Sequence, residues 1–239
     1  AVEGSYDRAC IARLRCADLE NVEVHAINVN DLSLPDSHYG LVCFIGVLEY
    51  AQRFSGIEQS PEEAVVHLLT KAKQALRPGG AIVVAIENRL GFKYLFGAGE
   101  DHYGRAYEGI HDYPNFEGIK TYSKSAWTAL LSEHGLAHEF LYPFPDYKLP
   151  EQVLSDHYIE MHPESWSHLT TTNSRDYHDL MTDPGDIPFW ETVGQAGHLG
   201  DFSNSFLIIA STTPNTVTRI VDRDFIHVSG LGRKHHLRT

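Results

Sequence analysis

Leu76-Arg77-Pro78-Gly79-Gly80-Ala81-Ile82-Val83-Val84-Ala85-Ile86 is the stretch that decides the fold. Pro78, Gly79 and Gly80 stop a helix. The unbroken apolar run from Ala81 to Ile86 is bounded by turns, the pattern of a strand buried on both faces. Upstream, Ser60-Pro61-Glu62-Glu63 starts the helix. Ser60 can cap it, Pro61 suits its first position and Glu63 completes a capping box. Val65, Leu68, Leu69, Ala72 and Leu76 then recur at helical spacing. Further upstream, Tyr39 to Ile45 reads as a strand closed by Gly46, and Val22 to Leu32 as a strand ending in the polar residues Asn28 and Asp31. Ala1-Val2-Glu3 reads as the end of a buried strand with an acidic tip. Gly4-Ser5 makes the turn, and Ser5 can cap a helix from about Tyr6 to Arg15. Downstream come a helix from Ser123 to His134, a strand from Leu136 to Leu141 and a late strand from Phe206 to Ala210. Short apolar strands alternating with helices predict a doubly wound, mostly parallel α/β sheet.

The chain has 239 residues, enough for one domain with insertions. Residues 89–121 and 143–200 lack a sustained period, and long irregular segments of this kind inside a compact domain are usually functional lids or insertions. The domain is expected over 1–213, with 214–239 a tail or the start of a further module. A net charge of −13 argues against nucleic acid and anionic membrane as main partners, because both reward clustered Lys and Arg. Only Arg233 to Arg238 is locally basic. Cys10, Cys16 and Cys43 give no even disulfide framework, and Cys43, inside an apolar strand, is expected to be a buried reduced thiol. A reducing, cytoplasmic setting follows. No apolar run approaches the ~20 residues that span a bilayer.

These blocks, in this order, resemble the class I S-adenosylmethionine-dependent methyltransferases, over about residues 1–142 and 202–210. The resemblance enters one strand late: Glu3 already ends the second strand, so the first strand and its glycine-rich loop are expected to be missing and the chain N-terminally incomplete. The Rossmann-like sheet would then carry an antiparallel last strand at Phe206 to Ala210. The resemblance implies S-adenosyl-L-methionine as cofactor. Glu3 would bond the ribose diol beside the Gly4 turn. Asn28 would meet the adenine amine, the Val29 N–H a ring nitrogen, and Asp31 would stand in the polar-Leu step that follows. Ile45 and Gly46 would approach the methionine part. Gly40 departs from the family's usual Asp, Asn28 from its usual Asp, and Glu49 stands where a His is common. Glu87 to Tyr94, Glu100-Asp101-His102 and Pro143 to Pro150 look like bacterial methyltransferases of glycan assembly.

Glu87-Asn88-Arg89 follows a strand at its carboxyl end, where open sheets bind ligands, so these residues and Tyr103 in the first lid are expected to touch the acceptor, a small molecule or glycan. If the acceptor is a hydroxyl, His102 or His111 is the candidate base, since an imidazole titrates near neutral pH. No metal site is expected, because no carboxylate–histidine set has ligand spacing. The competing readings are a nicotinamide-dependent oxidoreductase, in which a carboxylate at the second strand end also binds ribose, and a non-catalytic methyltransferase-like module.

Overall fold

The computed structural model describes residues 1–56, 58–162 and 188–228. In chain order they form β1 (Val2–Glu3), α1 (Tyr6–Arg15), β2 (His25–Ala26), β3 (Tyr39–Ile45), α2 (Ala51–Ser55), α3 (Pro61–Ala75), β4 (Leu76–Glu87), α4 (Phe92–Leu95), α5 (Lys124–Glu133), β5 (Ala137–Phe144), β6 (Gln152–Ser155), α6 (Asp156–Met161), α7 (Pro188–Gln195), α8 (Leu199–Phe202), β7 (Ser205–Ser211), α9 (Pro214–Ile220) and β8 (Phe225–His227). A 3-10 turn, Leu48–Tyr50, lies between β3 and α2.

The larger sheet has the order β3-β4-β7-β5-β6-β8, and β1 and β2 form a separate parallel pair. β3 runs parallel to β4, with Val42 opposite Ile82 and Phe44 opposite Val84. β7 lies between β4 and β5 and is antiparallel to both, with Ile208 opposite Val84 on one side and Phe140 on the other. The Rossmann-like α/β sheet with an antiparallel late strand is therefore present. Its pairing, however, is mostly antiparallel rather than mostly parallel. The inserted β7 makes both of its contacts antiparallel, and β6 and β8 extend the sheet beyond β5 in the same manner.

The main core lies between the sheet and the helices α3 and α5. Ser60 Oγ accepts the Glu63 N–H at 3.1 Å and Glu63 Oε2 accepts the Ser60 N–H at 2.8 Å, so the capping box forms as its sequence predicts. The apolar stripe of α3 (Val65, Leu68, Leu69, Ala72) packs with Ile82, Val84 and Ile86 of β4 and with Trp127 and Leu131 of α5. The other face carries a smaller cluster, Leu141, Val153, Ile209 and Val217. Val217 belongs to α9, and β8 pairs with β6 through Ile226 opposite Val153, so residues 214–228 pack on the larger sheet. Their Thr- and Asn-rich composition hides the few apolar side chains that dock. Residues 163–187 of the second lid and residues 229–239 lie outside the described residues.

The expected strand from Val22 to Leu32 shrinks to His25–Ala26. Asn28 ends it with an Asx turn, its Oδ1 accepting the Asn30 N–H at 3.0 Å. This segment is tied to α3 by Lys71 Nζ, which donates to the Val29 and Asn30 carbonyls at 3.0 and 2.8 Å. Among the described residues nothing pairs with the outer edge of β3, and Leu41 and Ile45 are 51% and 54% exposed. Cys43 shares that uncovered face and is exposed rather than buried. No helix among the described residues is long and apolar enough to cross a membrane.

Candidate functional site

Beyond the carboxyl ends of β3 and β4, several buried charged side chains come together. β3 ends at Gly46, whose N–H donates to the Ala85 carbonyl at 2.9 Å and whose φ of 60° is left-handed. A Cβ there would stand 2.7 Å from the Tyr147 hydroxyl, so both backbone and space require glycine. Just beyond it, the 3-10 turn brings in Glu49, and the last residue of β4 is Glu87; both are 3% exposed. The first lid adds Glu100, Asp101 and His102. The loop after β5 adds Tyr147 and Lys148. The described parts of segments 89–121 and 143–200 thus meet at the carboxyl ends of β3 and β4.

Glu100 is fixed by its own loop. Its Oε2 accepts the N–H groups of His102 and Tyr103 at 2.8 and 3.0 Å, and its Oε1 lies 2.8 Å from His102 Nδ1. An ionised carboxylate only accepts, so Nδ1 carries the hydrogen. Nε2 then faces Glu49 Oε1 at 3.7 Å. Burial alone would lower the His102 pKa, but the bond to Glu100, the nearby Glu49 carboxylate and the surrounding negative charge carry it up to about 10. The near-neutral imidazole expected of a base is therefore not what this environment provides: His102 holds a proton at neutral pH. Glu87 is pushed up, first by burial and then by the charge of Glu49, while Lys148 opposes the shift. Glu87 Oε1 accepts from the Tyr147 hydroxyl and from Lys148 Nζ, each at 3.2 Å. Lys148 also meets Asp101 at 2.8 Å, and Asp101 in turn is bonded by the fully buried Lys93 at 2.8 and 2.9 Å. Lys93 and Lys148 hold the Asp101 carboxyl well below its usual range against the opposing effect of burial.

The other sequence-predicted residues have the following places. Glu3 ends β1, and its Oε1 accepts from the Ser5 N–H and from Arg8, both at 2.8 Å. The Ser5 N–H lowers its pKa first, with Arg8 adding to the effect against some burial. Gly4 borders open space. Asn28 Nδ2 donates to the Phe54 carbonyl at 2.9 Å, which ties β2 to α2 beside the end of β3. Val29 packs on the main core and Asp31 is exposed. Asn88 is wholly buried: Nδ2 donates to the Asp201 and Ser203 carbonyls at 2.8 and 2.7 Å and Oδ1 accepts the Leu90 N–H at 3.0 Å. Arg89 clamps the first lid, donating from Nε to the Gly109 carbonyl at 2.7 Å and pairing with Asp112 at 3.0 Å. The Tyr103 hydroxyl donates to the Ile119 carbonyl and accepts the Glu117 N–H at 3.0 Å, so it braces the same lid. His111 is exposed, stacked on Tyr107 at 6.0 Å, and is not in the charged cluster. Of these residues, Gly46, Glu87 and His102 come together. The sequence reading misses Glu100, Tyr147 and Lys148, and treats Glu49 only as a departure from a family pattern. One signal for Glu49 is available: a lone carboxylate one residue after the apolar run that closes β3.

No family model matches the chain, and no curated protein matches it by sequence. Solved structures similar to it include an S-adenosylmethionine-dependent methyltransferase from Thermotoga maritima, at 16% identity and TM-score 0.46 over 89% of this chain and 72% of that one. Another, from Mesorhizobium loti, has 17% identity and TM-score 0.43 over 87% of this chain and 77% of that one. Geranyl diphosphate C-methyltransferase from Streptomyces coelicolor has 12% identity and TM-score 0.45 over 89% of this chain and 61% of that one.

Proposed function

We propose that this chain binds S-adenosyl-L-methionine across the carboxyl ends of β1, β2 and β3 and transfers its methyl group to a small-molecule or glycan acceptor held by the two lids. The observation that carries the reading is the course of the sheet: β7 returns antiparallel between β4 and β5. A nicotinamide-binding sheet of the doubly wound kind keeps its strands parallel there. The donor set fits the cofactor. Glu3 offers a carboxylate at a strand end for a ribose diol, with open space at Gly4. Asn28, Val29 and Asp31 lie in the turn that follows β2. At the end of β3, Ile45 presents an exposed side chain beside Gly46, which Tyr147 covers. S-adenosylmethionine supplies a methyl group already activated on a sulfonium.

The chain's own work is then alignment and exclusion of water. Tyr147 roofs Gly46 and fixes Glu87 at the acceptor end, and Arg89 and Tyr103 hold the first lid closed over it. His102, gripped by Glu100, acts in this reading as an oriented group rather than as a free base, and it carries a second ring proton only while no cation takes the place of that proton on Nε2. The exposed His111 is available to an acceptor only at the lid surface. Free cysteines and the absence of a membrane-spanning helix among the described residues suit a cytoplasmic enzyme. Calorimetric titration with S-adenosylhomocysteine and, separately, with NADH tests the proposal. Saturable binding of the first and none of the second is expected. The reverse would make the chain a nicotinamide protein, and binding of neither would make it a non-catalytic module.

A further inference from the structure

Glu49, Glu87 and His102 lie far apart in the sequence, yet each offers one ligand atom within 4.8 Å of the others. Their side chains are 2%, 4% and 5% exposed. Among the described residues, Glu49 Oε2 and Glu87 Oε2 are buried without any hydrogen-bond partner. A buried carboxylate oxygen left unpaired carries a heavy desolvation cost, and two such oxygens in one cluster repel each other as well. The histidine beside them is already oriented. Glu100 grips Nδ1 at 2.8 Å and leaves Nε2 facing Glu49. A carboxylate on the outer ring nitrogen is the arrangement that fixes the tautomer and rotation of a metal-ligating histidine.

We propose that Glu49, Glu87 and His102 form a site for one divalent first-row transition ion. Two carboxylate oxygens and one imidazole nitrogen make a mixed hard and intermediate donor set, suited to Mn2+, Fe2+ or Zn2+ more than to Ca2+. Three protein ligands leave coordination positions open, the feature that separates a reactive metal site from a structural one. The site adjoins Gly46, since Glu49 Oε1 would stand 3.5 Å from a Cβ there. An ion held at this place can take an oxygen of the acceptor directly, so the acceptor class it favours is a hydroxylated molecule. That role rests on the methyl-transfer reading; the binding of the ion does not.

Mn2+ is the probe, because its aqueous electron paramagnetic resonance signal disappears when the ion is bound. The chelator-treated protein should quench the signal of one equivalent of Mn2+ in a saturable manner. Glu49→Gln and His102→Gln should each weaken binding more than tenfold. Glu100→Gln, which touches no ion, should weaken it about 10- to 100-fold through the loosened imidazole. Circular dichroism and thermal melts identify variants that keep the fold. The wild-type titration decides even if they do not: no saturable quenching overturns the proposal, as does equal affinity in folded Glu49→Gln and His102→Gln proteins. Titration with S-adenosylhomocysteine alongside separates the two claims. Mn2+ binding without cofactor binding upholds the ion site and removes its methyl-transfer role, whereas cofactor binding without Mn2+ binding removes the ion site alone.

Discussion

Gly46→Ala probes the junction between β3, an edge strand of the larger sheet, and the loop after β5 that covers its end. Two effects add. The left-handed backbone, φ 60°, costs an L-residue about 1–2 kcal/mol. The new Cβ would stand 2.7 Å from the Tyr147 hydroxyl, which must move away and release its 3.2 Å bond to Glu87, a loss of about 1 kcal/mol. The expected destabilisation is therefore about 2–3 kcal/mol. Tyr147→Phe alone should cost about 1 kcal/mol for the lost bond. The double variant removes the atom with which the new methyl collides, so it should be no less stable than Gly46→Ala, a coupling of about 1 kcal/mol. Urea unfolding of the four proteins, with slopes compared, measures this directly. Strict additivity, with the double variant falling a further kcal/mol or so below Gly46→Ala, would show that the two residues share no contact and would refute the account of why glycine is needed.

Three further outcomes follow from the geometry. Ser60→Ala should lose about 1 kcal/mol of stability by removing one half of the capping box, seen as a lower urea midpoint. The Ser60 N–H holds the Glu63 carboxyl below its ordinary value of 4.5, so its contribution is present above that value and fades as pH falls below it; the stability gap between wild type and Glu63→Gln should close in acid. Asn88→Ala leaves the buried Asp201 and Ser203 carbonyls without their donor and should cost about 2–3 kcal/mol in urea unfolding, with the affinity for S-adenosylhomocysteine unchanged in the folded protein.

Those features that depend on local pattern were legible in the sequence. The capping box and stripe of α3, the strands β3 and β4 and the late β7 follow from period, cap chemistry and apolar runs. Glu87-Asn88-Arg89 shows where such reading stops. Three polar residues at a strand end look alike, but successive side chains point to opposite sides. Glu87 reaches the charged cluster, Asn88 turns into the protein to bracket α8, and Arg89 reaches the lid. The Glu49–Glu87–His102 cluster was invisible to spacing arguments because the parallel crossing of β3 to β4 and the lid, not the sequence interval, bring the residues together. β2 was overextended because Asn28 and Asn30 prefer their own turn to a ladder. α9 and β8 left little trace in the sequence, because a short helix with one deeply buried residue, Val217, gives almost no periodic signal.

The central claim is that the strand ends of β1 to β3 hold the nucleoside of S-adenosylmethionine. Calorimetric titration of wild type and Glu3→Ala with S-adenosylhomocysteine tests it most directly. A carboxylate bonding the ribose should contribute about 1.5–3 kcal/mol, so the variant should bind roughly 10- to 150-fold more weakly, with its fold intact by circular dichroism. Equal dissociation constants in the two proteins would contradict the account.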